Sequence, residues 1–386
     1  MKNIVLVGSP GAEAGGLGRA LAQRLGLVFS TYDSSVAKNP PVGGSVIAGG
    51  DDGVLQPDDL DVLRDNAVLV VLDTETNSPY EDVSFDVRLP GGSLDKLVSW
   101  LAQQSNPLGA AYLVVGGQVL NSMAPRIHNS ILRELGQSPA VALAEVHKGE
   151  LETWLAYARQ NLQGFSLNSP HKMEILPFID ELSEEAQMCG SVNTVRVDEG
   201  RLVGFNTDIW GITRTLRYLQ RDFAGRNVAV LGSGSMAKAA ALGACVGGAP
   251  SVTVYAQDAE AAKILVQGLW NQLGSYNVYW DELRPAMFRE SPPDVLINAT
   301  LLGMKGGEEF EDLGFIDDMP QNAIVMDLVY EPRQTMMLNK AKGLGMAMIN
   351  GIGVQMFQAI KTNNILFSQN HGIDIVRKVL AVIAKE

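Results

Sequence analysis

The chain has 386 residues, 46% hydrophobic and 19% charged, a composition that builds soluble cores and, at this length, two or three domains. Its formal charge of −13 argues against nucleic acid or an anionic membrane surface as the main partner, since both require a basic footprint. Cys189 and Cys245 lie far apart without metal-type spacing, so neither a disulfide framework nor a zinc site is expected, and with no signal-like or membrane-length apolar run the reading is cytoplasmic.

In chain order, Ile4 to Val7 reads as a short buried strand ending in a Gly/Pro/Ala turn, and Leu17, Leu21 and Leu25 share one helix face. Residues 33–53, rich in Gly, Pro, Ser and Asp, read as loop; Ala67 to Leu72 is a second buried strand and Leu94 to Leu101 a closing helix. Periodicity stops at Gln103 to Gly109, which marks a boundary. Strand Tyr112–Val115, a helix from Pro125, strand Val141–Ala144, helix Leu151–Leu162, strand Gly164–Leu167 and helix His171–Asp180 then alternate. A hairpin over Val192–Val197 and Arg201–Gly204 leads to a helix through Ile212, Leu216 and Leu219. Asn227–Leu231 opens a second alternating unit with strands at Val252–Tyr255, Val295–Asn298 and Ala323–Leu328, and the stretch from Gly353 is helical in pattern. The fold class is α/β throughout.

Two features carry chemistry. Gly232-Ser233-Gly234-Ser235-Met236-Ala237 follows an apolar strand and opens a small-residue helix, the context that makes a glycine pattern a dinucleotide turn. Glycines let the backbone approach a pyrophosphate, and a helix N-terminus favours its charge. The second strand ends in Ala256-Gln257-Asp258 with no Arg or Lys before Lys263, which favours NAD over NADP, although Asp258 also suits a helix N-cap. Lys172, just past Pro170, sits at a helix start where the dipole does not help it, and with Asp208 it forms a candidate acid/base pair.

The region from Gly116 onward resembles the shikimate and quinate dehydrogenase family. Gly116 to Asn129 is similar to G-x-P-I-x-H-S-x-S-P-x-I-H-N, Gly164 to Lys172 to G-x-x-V-T-x-P-x-K, Ser191 to Thr194 to A-V-N-T, and Gly204 to Asp208 to G-x-N-T-D. Asn298 to Met304 resembles N-A-T-S-x-G-M, Asp327 to Thr335 resembles D-x-V-Y-x-P-x-x-T, and Asn350 to Gly353 with Gln358 resembles N-G-L-G and a following glutamine. The resemblance implies a substrate-binding catalytic domain over 111–210 and 352–386 and a Rossmann domain over 211–351. It implies Lys172 and Asp208 as catalytic residues, and Ser122, Asn168, Asn193, Thr207, Tyr330 and Gln358 around a cyclic hydroxy acid. The glycine turn, Asp258, Asn298, Thr300 and Gly353 would then hold NAD or NADP, with no metal. Departures cluster where the family binds the acid group: Asn121, Ala124 and Asn168 replace its histidine, second serine and threonine, which implies a changed or enlarged substrate.

Residues 1–104 resemble a truncated, degenerate P-loop shikimate kinase, from Gly8 to Arg19 and around Ser45 to Gly50. Ala14 stands at the phosphate lysine, Gly15 at the magnesium hydroxyl and Glu13 at a loop glycine, all of which oppose ATP binding. The expected activity is therefore hydride transfer between a nicotinamide and a ring hydroxyl or ketone of a shikimate- or quinate-type acid, with a homodimer left open. A second reading is a non-catalytic sensor built from two worn metabolic domains.

Overall fold

The computed structural model describes residues 2–7, 14–25, 27–32, 45–49, 60, 63, 67–72, 87–88, 112–117, 119, 122–138, 140–274, 277–369 and 374–384. They form two units: the first takes Met1–Glu181, Thr194–Gly204 and Asn363–Glu386, the second Leu182–Asn193 and Phe205–Thr362. The expected helix at Leu94 to Leu101, the boundary at 103–109 and the turn at 8–13 lie outside the described residues.

In the first unit, β1 (Asn3–Val7), α1 (Ala14–Leu25), β2 (Val28–Tyr32), β3 (Ser45–Gly49), β4 (Ala67–Val71) and β5 (Val87–Arg88) build a parallel sheet in the order β2-β3-β1-β4-β5. Strand β3 corrects the reading of residues 33–53 as loop. Its Val46, Ile47 and Ala48 are fully buried beside β1, a run too short to stand out between Gly and Pro clusters. A second sheet follows, from β6 (Tyr112–Gly116), α2 (Ala124–Glu134), β7 (Val141–Glu145), α3 (Leu151–Asn161), β8 (Gly164–Leu167), α4 (His171–Glu174), β9 (Glu181–Leu182), β10 (Thr194–Asp198) and β11 (Arg201–Phe205), while α5 (Glu184–Cys189), between β9 and β10 in the chain, belongs to the second unit. Its order is β7-β6-β8-β10-β11-β9, with β6 parallel to β7 and β8 and β10 antiparallel to β8. The single helix expected over His171–Asp180 is instead α4 and a 3₁₀ turn at Leu176–Phe178. Pro177 lacks the N–H an α-helix would need there.

The two sheets are tied within this unit by Asn129 on α2. Its Nδ2 donates to the carbonyls of Leu25, the last residue of α1, at 2.7 Å and of Val141 at 2.8 Å, while its Oδ1 accepts from the Ala140 and Val141 amides. An orphan helix-end carbonyl is thus satisfied from the neighbouring sheet's helix.

The second unit comprises α6 (Asp208–Tyr218), β12 (Asn227–Leu231), α7 (Ser235–Val246), β13 (Ser251–Ala256), α8 (Ala259–Leu273), β14 (Val278–Glu282), β15 (Val295–Asn298), β16 (Ile324–Asp327), α9 (Met336–Gly343), β17 (Ala347–Asn350) and α10 (Gly351–Leu366); α11 (Asp374–Ala384) belongs to the first. The all-parallel order β14-β13-β12-β15-β16-β17 is the doubly wound dinucleotide arrangement. Period-2 alternation sends Val228 and Val230 to one buried face and Ala229 and Leu231 to the other. The sequence reading assigns 352–386 to the substrate domain; by contact, residues up to Thr362 lie in the second unit and those from Asn363 in the first.

Candidate active site

The second unit gathers four of the expected site residues around one carboxylate. Asp208 opens α6 and is fully buried. Its Oδ1 accepts from Asn193 Nδ2 at 2.6 Å and from Gln358 Nε2 at 2.7 Å, and Asn193 Nδ2 also reaches Thr207 Oγ1 at 3.1 Å. Asn193 Oδ1 in turn accepts from the Thr207 amide at 3.1 Å. Asn206, part of the Gly204–Asp208 motif but given no site role from the sequence, accepts the Asp208 amide at Oδ1 at 2.9 Å while its Nδ2 donates to the Ser191 carbonyl and hydroxyl. Its sequence signal is an Asn two residues before the first helical residue, the pattern of an Asx turn. Gln358 reaches this carboxylate because α6 and α10 approach closely at Gly211, where a Cβ would lie 2.6 Å from Gln358 Cγ. Gly353, expected at the cofactor, has the same packing reason: a Cβ there would meet Thr215 Cγ2 at 3.0 Å.

The glycine turn leaves its backbone open to solvent. Gly232 has φ of +109° with a would-be Cβ 3.1 Å from the Ala299 carbonyl, so a side chain is excluded on both counts. A Cβ at Gly234 would meet nothing within 4 Å, and Ser233 and Gly234 are exposed. Among the described residues α7 has no side-chain N-cap and no acid in its first turn, which suits a bound anion. Ser235, Met236 and Ala237 begin that helix, and buried Ala237, Ala239, Ala240 and Ala241 let it lie close on the sheet.

Other expected cofactor residues are wired into the protein. Asn298 donates from Nδ2 to Asp327 Oδ1 at 2.9 Å and accepts at Oδ1 from the Thr300 amide and hydroxyl. Asp327, which sequence reading did not place in the site, also takes Thr335 Oγ1 at 2.6 Å and the Val329 amide at 3.0 Å. Burial nevertheless pushes its carboxyl above the ordinary range. These bonds shape the loops leaving β15 and β16, the latter carrying half-buried Tyr330. Asp258 is the N-cap of α8, its carboxylate accepting from the Glu260 and Ala261 amides, so the capping alternative accounts for it.

Ser122, Asn168 and Lys172 lie in the first unit. Half-buried Lys172 is on α4, behind Asn168 and Pro170, and the segment is anchored on both sides. The Asn168 amide donates to the Val115 carbonyl at 2.8 Å and the Gly117 amide to that of Ser169 at 3.3 Å. Buried His171 contacts Glu174 Oε2 through Nδ1 at 2.7 Å and the Val146 carbonyl through Nε2 at 2.6 Å, which makes it an anchor for the turn that presents Lys172. Ser122 Oγ accepts the Ala124 amide at 3.2 Å at the start of α2. His128 is likewise structural: its Nδ1 faces Asn363 Oδ1 at 2.6 Å and burial holds its pKa down to about 4. Asn121 lies outside the described residues. Among the described residues no cluster of three or more His, Cys, Asp or Glu could hold a metal ion, and no helix is long and apolar enough to cross a membrane.

A family model for the shikimate dehydrogenase substrate-binding domain matches residues 114–195. A shikimate dehydrogenase (NADP(+)) of Pyrococcus furiosus is 30% identical over 276 residues, which span 71% of this chain and 96% of that protein. The chain belongs to the shikimate dehydrogenase family. A second such enzyme, from Methanococcus maripaludis, is 27% identical over 269 residues, covering 69% of this chain and 95% of that protein. Among solved structures, shikimate 5-dehydrogenase from Thermus thermophilus in complex with NADP(H) and shikimate is 26% identical with a TM-score of 0.62, covering 70% of this chain and 98% of that one. The Listeria monocytogenes enzyme in complex with shikimate and NAD is also 26% identical, with a TM-score of 0.63 and coverage of 70% and 96%. This member of the family is an oxidoreductase of the shikimate/quinate dehydrogenase type with the α/β fold of those structures.

Proposed function

We propose that the protein interconverts a ring hydroxyl and a ketone on a cyclic hydroxy acid, shikimate/3-dehydroshikimate or quinate/3-dehydroquinate, with Lys172 and Asp208 as the catalytic residues. The observation that carries this is the buried Asp208 carboxylate held by Asn193 and Gln358, all three at positions matching the family's motifs. In the reducing direction the Lys172 ammonium gives a proton to the carbonyl oxygen while the carbon takes up a hydride; oxidation runs the same step backwards. When bound, a nicotinamide dinucleotide supplies that hydride. Asp208 provides a fixed negative charge, and Asn193, Thr207 and Gln358 offer amide and hydroxyl groups to ring hydroxyls. By their motif positions Ser122, Asn168 and Tyr330 are assigned to the acid group, and the loss of hydroxyls at Ala124 and Asn168 favours an acid larger or differently substituted than shikimate.

The glycine turn, with Asn298, Thr300 and Gly353 shaping its surroundings, fits a pyrophosphate, and the coenzyme favoured is NAD. The domain scheme of 1–104, 111–210 with 352–386, and 211–351 goes with this reading, with residues 1–104 as a degenerate kinase fold that binds no ATP. A cytoplasmic enzyme, with a homodimer open to test, is consistent with the acidic charge. The test is NADH or NADPH formation with shikimate and quinate, wild type beside Lys172→Ala. Turnover abolished by Lys172→Ala supports the reading; no wild-type turnover with either acid and either coenzyme would move it to a ligand sensor.

A further inference from the structure

The ends of β13, β14 and β15 enclose a cavity of about 370 Å³ whose lining includes Gln257, Arg284, Glu308, Glu309, Glu311 and Asp312. Gln257 immediately follows the second strand of the doubly wound sheet, the position at which such folds read the adenosine ribose. The sequence points to Asp258 for that role; its Oδ1 caps α8, and the cavity brings further charged groups to the same place. The acidic ones come from the segment after Met304, some fifty positions downstream of Gln257 and invisible to any local motif.

The charges of this wall are one-sided. Its lining has four carboxylates and, among the described residues, one guanidinium, that of Arg284. Arg284 already has a carboxylate partner, Asp281 Oδ2, 3.0 Å from its NH2. Asp312 is held in place by the Gly314 amide at 2.6 Å, and Glu309 lies near enough to buried Asp327 to raise its pKa. A ribose 2′-OH can donate to such a wall or to the Gln257 amide oxygen. A 2′-phosphate, dianionic near neutral pH, would meet net negative charge and find its one cation shared.

We infer that Glu308, Glu309, Glu311 and Asp312 form an electrostatic gate that makes this enzyme discriminate against a 2′-phosphorylated dinucleotide and select NAD. The inference rests on the dinucleotide reading of the glycine turn. It sets this chain apart from the relatives named for NADP(+).

The experiment is titration of the full-length protein with NAD and with NADP, followed by kcat/KM for each coenzyme. Wild type should favour NAD at least tenfold. Because the exposed wall acts through solvent, that ratio should fall several-fold between 0.05 and 0.5 M salt, in step with the shortening Debye length (roughly 14 to 4 Å). A Glu308→Gln/Glu311→Gln variant should tighten NADP at least fivefold with less than a twofold change for NAD, and adding Asp281→Asn, which frees Arg284, should extend the gain. Wild-type preference for NADP overturns the inference while leaving the dehydrogenase reading intact. A preference for NAD that ignores both salt and the double substitution overturns the assignment to this wall. Binding of neither coenzyme defeats the dinucleotide reading and the gate with it.

Discussion

Replacing Asp208 by Asn separates the carboxylate's chemistry from its architecture. Both amide donors, Asn193 Nδ2 at 2.6 Å and Gln358 Nε2 at 2.7 Å, address the same oxygen, Oδ1. An asparagine can leave its carbonyl oxygen there, so both of these bonds survive as neutral ones. Each falls from the charge-assisted range to the ordinary one, a loss of about 1 kcal/mol apiece or about 2 kcal/mol for the two bonds. If the carboxylate supports proton transfer, its removal should cost about 10² to 10⁴ in kcat, which is about 3 to 5 kcal/mol on the barrier. Activity should therefore fall much further than stability. Steady-state kcat with shikimate or quinate, read beside a thermal melt, measures both. An Asp208→Asn protein that melts a few degrees low yet keeps kcat within tenfold of wild type would refute a catalytic carboxylate at this position.

Three further outcomes follow from the same geometry. Asn129→Ala should cost about 3 to 5 kcal/mol in chemical denaturation, because it orphans the buried carbonyls of Leu25 and Val141 and two amides. Gly211→Ala should cost about 1 to 3 kcal/mol through the 2.6 Å approach to Gln358 Cγ, and less in a Gln358→Ala background, where the 3.1 Å approach to the Val354 carbonyl remains. His128 is neutral in the fold, with its pKa held to about 4 against 6.5 by burial, so the unfolded chain takes up the proton first as pH falls. Its contribution is fully present above pH 6.5 and is lost between there and about pH 4, about 3 kcal/mol in all, and His128→Gln should flatten the stability profile in that window.

Features set by neighbouring residues, or by a fixed period along the chain, are legible in the sequence. The doubly wound unit announces itself through Asn227–Leu231 running into Gly232-Ser-Gly234, and the ordered motifs carrying Lys172, Asn193 and Asp208 specify the family, because backbone geometry at a turn or helix start is a local property. What misleads is equally local. Strand β3 is hidden because Ser45–Gly49 has three buried apolar residues between glycine-rich neighbours and becomes a strand only when β1 and β2 pair on either side. Asp258 suits both a ribose ligand and a helix cap, since both roles ask for the same residue after a strand, and the fold shows the cap. Sequence by itself determined the alternation of elements, the glycine turn and the chemical inventory of the site. Only the tertiary structure decided which of those side chains spend their hydrogen bonds on one another, that Asn129 ties α2 to the end of α1, and that four acids some fifty residues beyond Gln257 share its cavity. Such partnerships depend on strands far apart in the chain lying side by side, and no spacing along the chain encodes that distance.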